Sequence, residues 1–218
     1  QALAQKYHAV VTNPPYMGDK GMSPKLSEYI KANYSDSKSD LYAAFIIRCS
    51  QMTADYEFQA MITQHGWMYL TSFEKMRSSI MSTDVVNMLH LGPRAFDEIG
   101  GEVVQSVCFV LRKTDISDYK ASYYRLIDGN SEKAKENLFL NRQGLFVSAK
   151  VRYKRIDGEP FAYWISDGLL KAFSTGTKLG KLAFPCQGMA TTNNDLFLKL
   201  WFEVACGAVS YTHLRAHE

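Results

Sequence analysis

Three conformationally restricted residues in a row fix one point of this chain before any other. Asn13-Pro14-Pro15-Tyr16 follows the apolar run Tyr7-His8-Ala9-Val10-Val11. Pro14 and Pro15 have a fixed φ and no N–H. Asn13 and Pro14 each precede a proline and are pushed to extended conformations. The sequence therefore predicts a buried strand ending at Asn13, closed by a stiff tetrapeptide. That tetrapeptide presents an amide oxygen, the Pro14 carbonyl and an aromatic face in one direction, a combination suited to a flat ring carrying an amino group. The same four residues also read as a plain proline turn closing a strand.

Downstream, strand and helix patterns alternate. A loop over Met17–Met22 leads to a helix from Pro24 to Tyr34, with Leu26, Tyr29 and Ile30 on one side. A polar stretch ends on Asp40, a good N-cap for a helix from Leu41 to about Met52. Phe58–Thr63 reads as a strand, Ser72–Met81 as a helix with Phe73, Met76 and Ile80 inward, and Val85–Leu91 and Val103–Leu111 as strands. The alternation argues for a parallel α/β sheet. The loop joining the last two strands has no helical pattern, and a parallel crossover needs one, so that pair is expected to be antiparallel. Further on, Tyr123–Ile127 can be a strand, Ser131–Asn137 a surface helix and Asp167–Phe173 another helix.

Composition narrows the class. Hydrophobic content of 46% with 13% aromatics indicates a packed core. A net charge of +3 permits a nucleic-acid partner without requiring one. Cys49, Cys108, Cys186 and Cys206 lie far apart in apolar contexts, which predicts free buried thiols in a reducing cytoplasm and no metal site. No run is long enough to span a membrane. The chain begins with Gln, almost inside a strand, and is read as a piece of a longer protein; Val209–Glu218 departs from the preceding pattern and is read as a non-native tail.

The passages Val10–Gly18, Asn33–Leu41, Ser72–Arg77, Pro160–Trp164 and Gly188–Asn194 occur in an order that resembles the gamma-type DNA adenine-N6 methyltransferases, in particular those of BREX phage-resistance systems. The resemblance implies the C-terminal part of a Rossmann-like sheet, with S-adenosylmethionine as cofactor and double-stranded DNA as partner, together with other phage-defence proteins in some settings. It implies that Asn13 and the Pro14 carbonyl accept hydrogen bonds from the adenine amino group. Tyr16 and Phe96 would sandwich the flipped base, and Phe45, with Asn13 and Pro15, would line the cofactor pocket. The family's glycine-rich cofactor loop would lie upstream of Gln1. Gly188–Asn194 is similar to the onset of a target-recognition domain, with Thr192 where a second glycine is usual. The implied organisation is a partial catalytic domain over 1–114, a connecting segment over 115–178, the start of a recognition domain over 179–208, and the tail over 209–218.

Several residues carry two readings. Lys150, Arg152, Lys154 and Arg155 are either a solvated basic surface or a set of DNA-phosphate contacts. Phe45 and Phe96 are core residues or ligand contacts. Asp40 is a helix cap that also falls near the catalytic loop. His65 is a loop residue or a base, and the reaction implied by the resemblance requires no base. Two other functions fit the same residues: a protein-glutamine or RNA methyltransferase, and a catalytically silent DNA-binding subunit of a defence complex.

Overall fold

The computed structural model describes residues 4–96 and 104–184. It forms two compact units, Gln1–Thr175 and Gly176–Glu218. The described part of the second holds one short 3-10 turn, Leu179–Lys181. The expected recognition-domain onset at 188–194, Cys186, Cys206 and the 209–218 tail all lie outside the described residues.

The first unit is built on a six-stranded sheet: β1 Tyr7–Thr12, β2 Thr53–Gln64, β3 Asp84–Gly92, β4 Ser106–Arg112, β5 Lys120–Arg125 and β6 Leu145–Ala149, in the spatial order β1-β2-β4-β3-β5-β6. The helices are α1 Pro24–Asn33, α2 Leu41–Met52, α3 Glu74–Ile80, α4 Glu132–Leu140 and α5 Asp167–Thr175. The β1–β2 and β3–β5 pairs are parallel, whereas β2–β4, β4–β3 and β5–β6 are antiparallel. The sheet is thus mixed, not parallel throughout. After β3 the chain returns as β4, antiparallel to the strand it has just left, and β4 slots between β2 and β3.

The expected buried strand at Tyr7–Val11 is a correction. β1 is hydrogen-bonded along one side only, and Val11 is 75% exposed. The stretch 115–178 does more than connect, because β5 and β6 extend the same sheet.

Local sequence explains the helices that position the loops. Ser23 caps α1, accepting a hydrogen bond from Leu26 N, and Pro24 occupies the first helical turn. Asp40 caps α2, whose Leu41, Tyr42, Ala43, Ala44, Ile46 and Cys49 are all buried. The predicted helix from Ser72 resolves into a 3-10 turn, Thr71–Phe73, followed by α3, with Phe73, Met76 and Ile80 buried as expected. Arg77 is buried too, and its guanidinium donates to the carbonyls of Trp67 (3.0 Å), Leu70 (2.5 Å) and Gly158 (2.9 Å). It thereby satisfies three backbone acceptors and ties the loop after β2 to α3. Trp67 packs edge-on against Phe109 and Phe161 at the centre of the core.

Candidate active site at the strand ends

The tetrapeptide sits where β1 leaves the sheet. Asn13 and Pro15 are exposed, Pro14 is buried and Tyr16 is half-buried. The Tyr16 hydroxyl donates to Asn13 Oδ1 at 3.5 Å, and its ring stands edge-on to Tyr42 with centroids 5.9 Å apart. Burial raises the Tyr16 phenol above its ordinary pKa, and the neighbouring Ser106 hydroxyl offsets part of that rise. The Ser106 contact falls short of a well-formed hydrogen bond, since its buried Oγ otherwise has no partner.

Asp40 fixes the loop that follows. Its Oδ1 accepts from Met17 N at 3.1 Å and from Tyr42 N at 3.3 Å, so one carboxylate caps α2 and tethers the chain just after Tyr16. Leu41 N donates to Met17 O at 2.9 Å and Asp19 N to Ser39 O at 3.2 Å, completing the staple. The cap was legible in the sequence; the tether was not.

The remaining sequence-predicted residues are not all brought together. Phe45 is half-buried on α2, packed against both hydrophobic clusters of the unit. Phe96 is half-buried in the loop after β3, and among the described residues it makes no ring contact with Tyr16. The turn leading to it is sharp: Gly92 has φ +66°, and a Cβ there would stand 2.7 Å from Ile127 Cγ2. Lys135 Nζ braces that turn, donating to the carbonyls of Leu91 (2.7 Å), Leu126 (3.0 Å) and Gly129 (2.6 Å).

The four basic residues part company. Lys150 is no surface cation. It is 5% exposed, and its ammonium bonds Asp84 Oδ1 (3.1 Å), Asp115 Oδ1 (2.5 Å) and Thr83 O (3.0 Å). Its expected place in a DNA-contacting set is therefore corrected: its donors are spent inside the fold. Arg152 pairs with Asp167 at 2.5 Å. With Arg155, Leu170, Lys171 and Ser174 these two line a cleft of about 280 Å³. Lys154 and Arg155 are exposed.

One feature escaped the sequence reading. His65 Nδ1 lies 2.8 Å from His90 Nε2, His90 Nδ1 lies 3.2 Å from the Tyr163 hydroxyl, and the Tyr69 hydroxyl bonds His65 Nε2. Burial, then the charges of His65, Arg125 and Lys135, push His90 down to about 4. Burial also lowers His65 and raises the Tyr69 phenol to about 12. Each imidazole can share one donor and one acceptor with its neighbours. This chain borders the site, because His65 N donates to Gln105 O at 2.9 Å and Gln105 precedes Ser106. His65 has both ring nitrogens engaged, which favours its reading as a loop residue over a free base. The available signal was a histidine at an inward position of a strand.

Among the described residues, no group of three or more His, Cys, Asp or Glu could hold a metal ion. No helix there is long and apolar enough to cross a membrane. Cys49 and Cys108 are free thiols, both raised above the ordinary thiol pKa by burial.

Comparison with known proteins bears on this arrangement. Residues 2–96, which contain the tetrapeptide and its staple, match the Eco57I restriction-modification methylase family. The chain is 39% identical over 97% of its length to the adenine-specific methyltransferase PglX of Lacticaseibacillus casei (strain Zhang). Over nearly its whole length the chain is thus similar to a segment of an adenine-specific methyltransferase. It is also 40% identical, over 93% of its length, to the adenine-specific methyltransferase BrxX of Escherichia coli O9:H4 (strain HS). It spans 18% of the PglX relative and 17% of BrxX. Two solved structures share its fold. DrdV in a complex with DNA matches with a TM-score of 0.53 at 14% identity, covering 76% of this chain and 19% of DrdV. The Type ISP restriction-modification enzyme LlaGI, with a DNA substrate mimic, matches with a TM-score of 0.52 at 16% identity, covering 76% of this chain and 16% of LlaGI.

Proposed function

We propose that this chain forms the amine-binding half of a DNA methyltransferase that moves a methyl group from S-adenosylmethionine to adenine N6. The observation that carries the reading is the exposed Asn13 amide at the end of β1, with Tyr16 beside it and Asp40 holding the following loop. The adenine amino nitrogen is a poor nucleophile because its lone pair is delocalised into the ring. Asn13 Oδ1 and the Pro14 carbonyl, accepting its two hydrogens, favour a pyramidal nitrogen and stabilise the charge that develops there. Such preorganised groups are worth a few kcal/mol each, roughly 2.7–4 in well-studied cases.

Tyr16 offers a stacking face for a base taken out of the duplex, and Phe96 is the second candidate face. Stacking helps offset the unstacking cost of about a few kcal/mol. Asn13, Pro15 and Phe45 are the residues the family resemblance assigns to the cofactor pocket, and none of the three carries a charge that would oppose a cationic sulfonium. When bound, S-adenosylmethionine supplies an already activated methyl group, so the protein's task is positioning. The setting we infer is bacterial phage defence, of BREX or restriction-modification type, with double-stranded DNA as partner and Arg152, Lys154 and Arg155 as candidate phosphate contacts. On this reading 1–114 belongs to the catalytic domain, 115–178 continues its sheet before connecting onward, and 179–208 opens a recognition domain.

The test uses the full-length protein with labelled cofactor and three acceptors: adenine-containing duplex DNA, RNA and protein. The account requires transfer to adenine N6 in DNA. Transfer only to RNA or protein, or DNA binding without transfer, would replace it by one of the alternatives.

A further inference from the structure

Two of the passages that carry the family resemblance, Asn33–Leu41 and Ser72–Arg77, have no part in the chemistry above, yet the fold brings them to one place. Ser35 and Lys38, ahead of α2, face Thr71, Ser72, Lys75 and Ser78, at the start of α3, across a cleft of about 470 Å³. The cleft lies on the same rim as Asn13. Its first wall leads into Asp40, which tethers the loop after Tyr16, and its second follows the C-terminal end of β2, the strand that pairs with β1.

The lining has a definite chemistry. It offers four hydroxyls and two ammonium groups, all on exposed residues. Among the described residues neither Lys38 nor Lys75 forms an ion pair. Two acidic residues, Asp36 and Glu74, also line the cleft. Asp36 Oδ1 accepts from Ser35 Oγ at 3.4 Å, and Glu74 acts on the buried Arg77 guanidinium. Asp19, the acid within reach of Lys38's charge, is itself held by Ser27 at 3.0 Å and Lys31 at 3.3 Å. Two ammonium groups without an ion pair, facing each other among hydroxyl groups, suit an anion carrying several oxygens. With two acids nearby, the cleft is not a broad basic field that would hold any polyanion.

We propose that this cleft binds a backbone phosphate segment of the DNA strand beside the target base, with Lys38 and Lys75 making one phosphate contact each and Ser72 and Thr71 donating hydroxyl hydrogen bonds. The inference rests on the DNA-methyltransferase reading and adds a subsite to it. Phosphate contacts of this kind set register without reading sequence. They would hold the strand while the base leaves the stack.

The test is the affinity of the full-length protein for duplex DNA as a function of salt, for the wild type, the Lys38→Ala/Lys75→Ala double variant and Lys133→Ala as a control far along the chain. Each lost phosphate contact lowers the slope of log affinity against log salt by about 0.9, so the double variant should lose about 1.8. Between about 50 and 200 mM salt its affinity should then fall about twelvefold less than that of the wild type. Its KM for DNA should rise. The Lys38→Arg/Lys75→Arg variant should restore the slope, which guards against a loss caused by misfolding. A double-alanine slope equal to those of the wild type and Lys133→Ala overturns the proposal. If the wild type itself neither binds nor methylates DNA, it is the functional reading that has failed, not the subsite alone.

Discussion

Replacing Lys150 with methionine tests how the fold uses charge. Asp84 is fully buried, and its carboxylate accepts from Lys150 Nζ (3.1 Å), Ile116 N (2.9 Å), Thr114 Oγ1 (2.5 Å) and, more distantly, Arg112 Nη2 (3.5 Å). Burial alone would raise the Asp84 pKa, but the hydrogen bonds from Thr114, Ile116 and Lys150 outweigh it and hold the carboxylate below its ordinary value. Methionine keeps most of the side-chain volume and removes the charge. Breaking a buried pair by deleting one partner costs about 3–5 kcal/mol, because a charge is left without its counterpart. Asp84 retains three partners and Asp115 is 56% exposed, so we expect about 2–4 kcal/mol here. At about 1.36 kcal/mol per factor of ten, amides of β3 and β6 that exchange through opening of this region should exchange roughly 30- to 1,000-fold faster. Hydrogen exchange read by mass spectrometry on the full-length protein measures this directly. Lys154→Ala, an exposed neighbour, should leave the same amides within about twofold of the wild type, as surface changes generally stay within about 0.5 kcal/mol. Unchanged protection in Lys150→Met, together with a DNA-binding salt slope reduced by about 0.9, would refute the argument and return Lys150 to the DNA surface.

Three further outcomes follow from the site. Tyr16→Ala should lower kcat/KM for DNA about 10- to 100-fold, in line with about 1–3 kcal/mol per base–aromatic stack, while Tyr16→Phe stays within a few-fold; steady-state methylation kinetics distinguish them. Asp40→Ala removes the α2 cap and the Met17 tether together, and should loosen the 13–22 loop by about 1–3 kcal/mol, seen as faster amide exchange there and a reduced kcat. Acidification should weaken the fold through His90, whose folded pKa of about 4 lies below its ordinary 6.5. The folded state then binds fewer protons than the unfolded chain, so this contribution is complete above pH 6.5 and is lost as pH falls through about 4. It amounts to roughly 3 kcal/mol at most, and His90→Gln should flatten that limb of a pH-dependent unfolding series.

What could be read in the sequence was local. The two prolines fixed the turn after β1 through their own geometry. Asp40 announced itself as a cap because a carboxylate before an apolar helical run has few other uses. The parts that stayed hidden depend on partners far along the chain. Lys150 stands among Arg152, Lys154 and Arg155 and so reads as one more surface charge. Its counter-ion Asp84 is 66 residues away, and only the β3–β5–β6 order brings the two together. The His65–His90 pair spans 25 residues and forms because β2 and β3 flank β4 and place both histidines at one end. β1 looked buried from its apolar residues, but Val11 stands 75% exposed.

The central claim is that Asn13 holds the adenine amino group during methyl transfer. The most direct measurement is N6-methyladenine formed in duplex DNA by full-length wild type and Asn13→Ala, with DNA and cofactor binding measured on the same samples. The account predicts that Asn13→Ala, at saturating DNA and cofactor, loses methylation by at least about a hundredfold, the scale of removing one well-placed transition-state hydrogen bond. An Asn13→Ala protein that methylates adenine at near wild-type rate would contradict it.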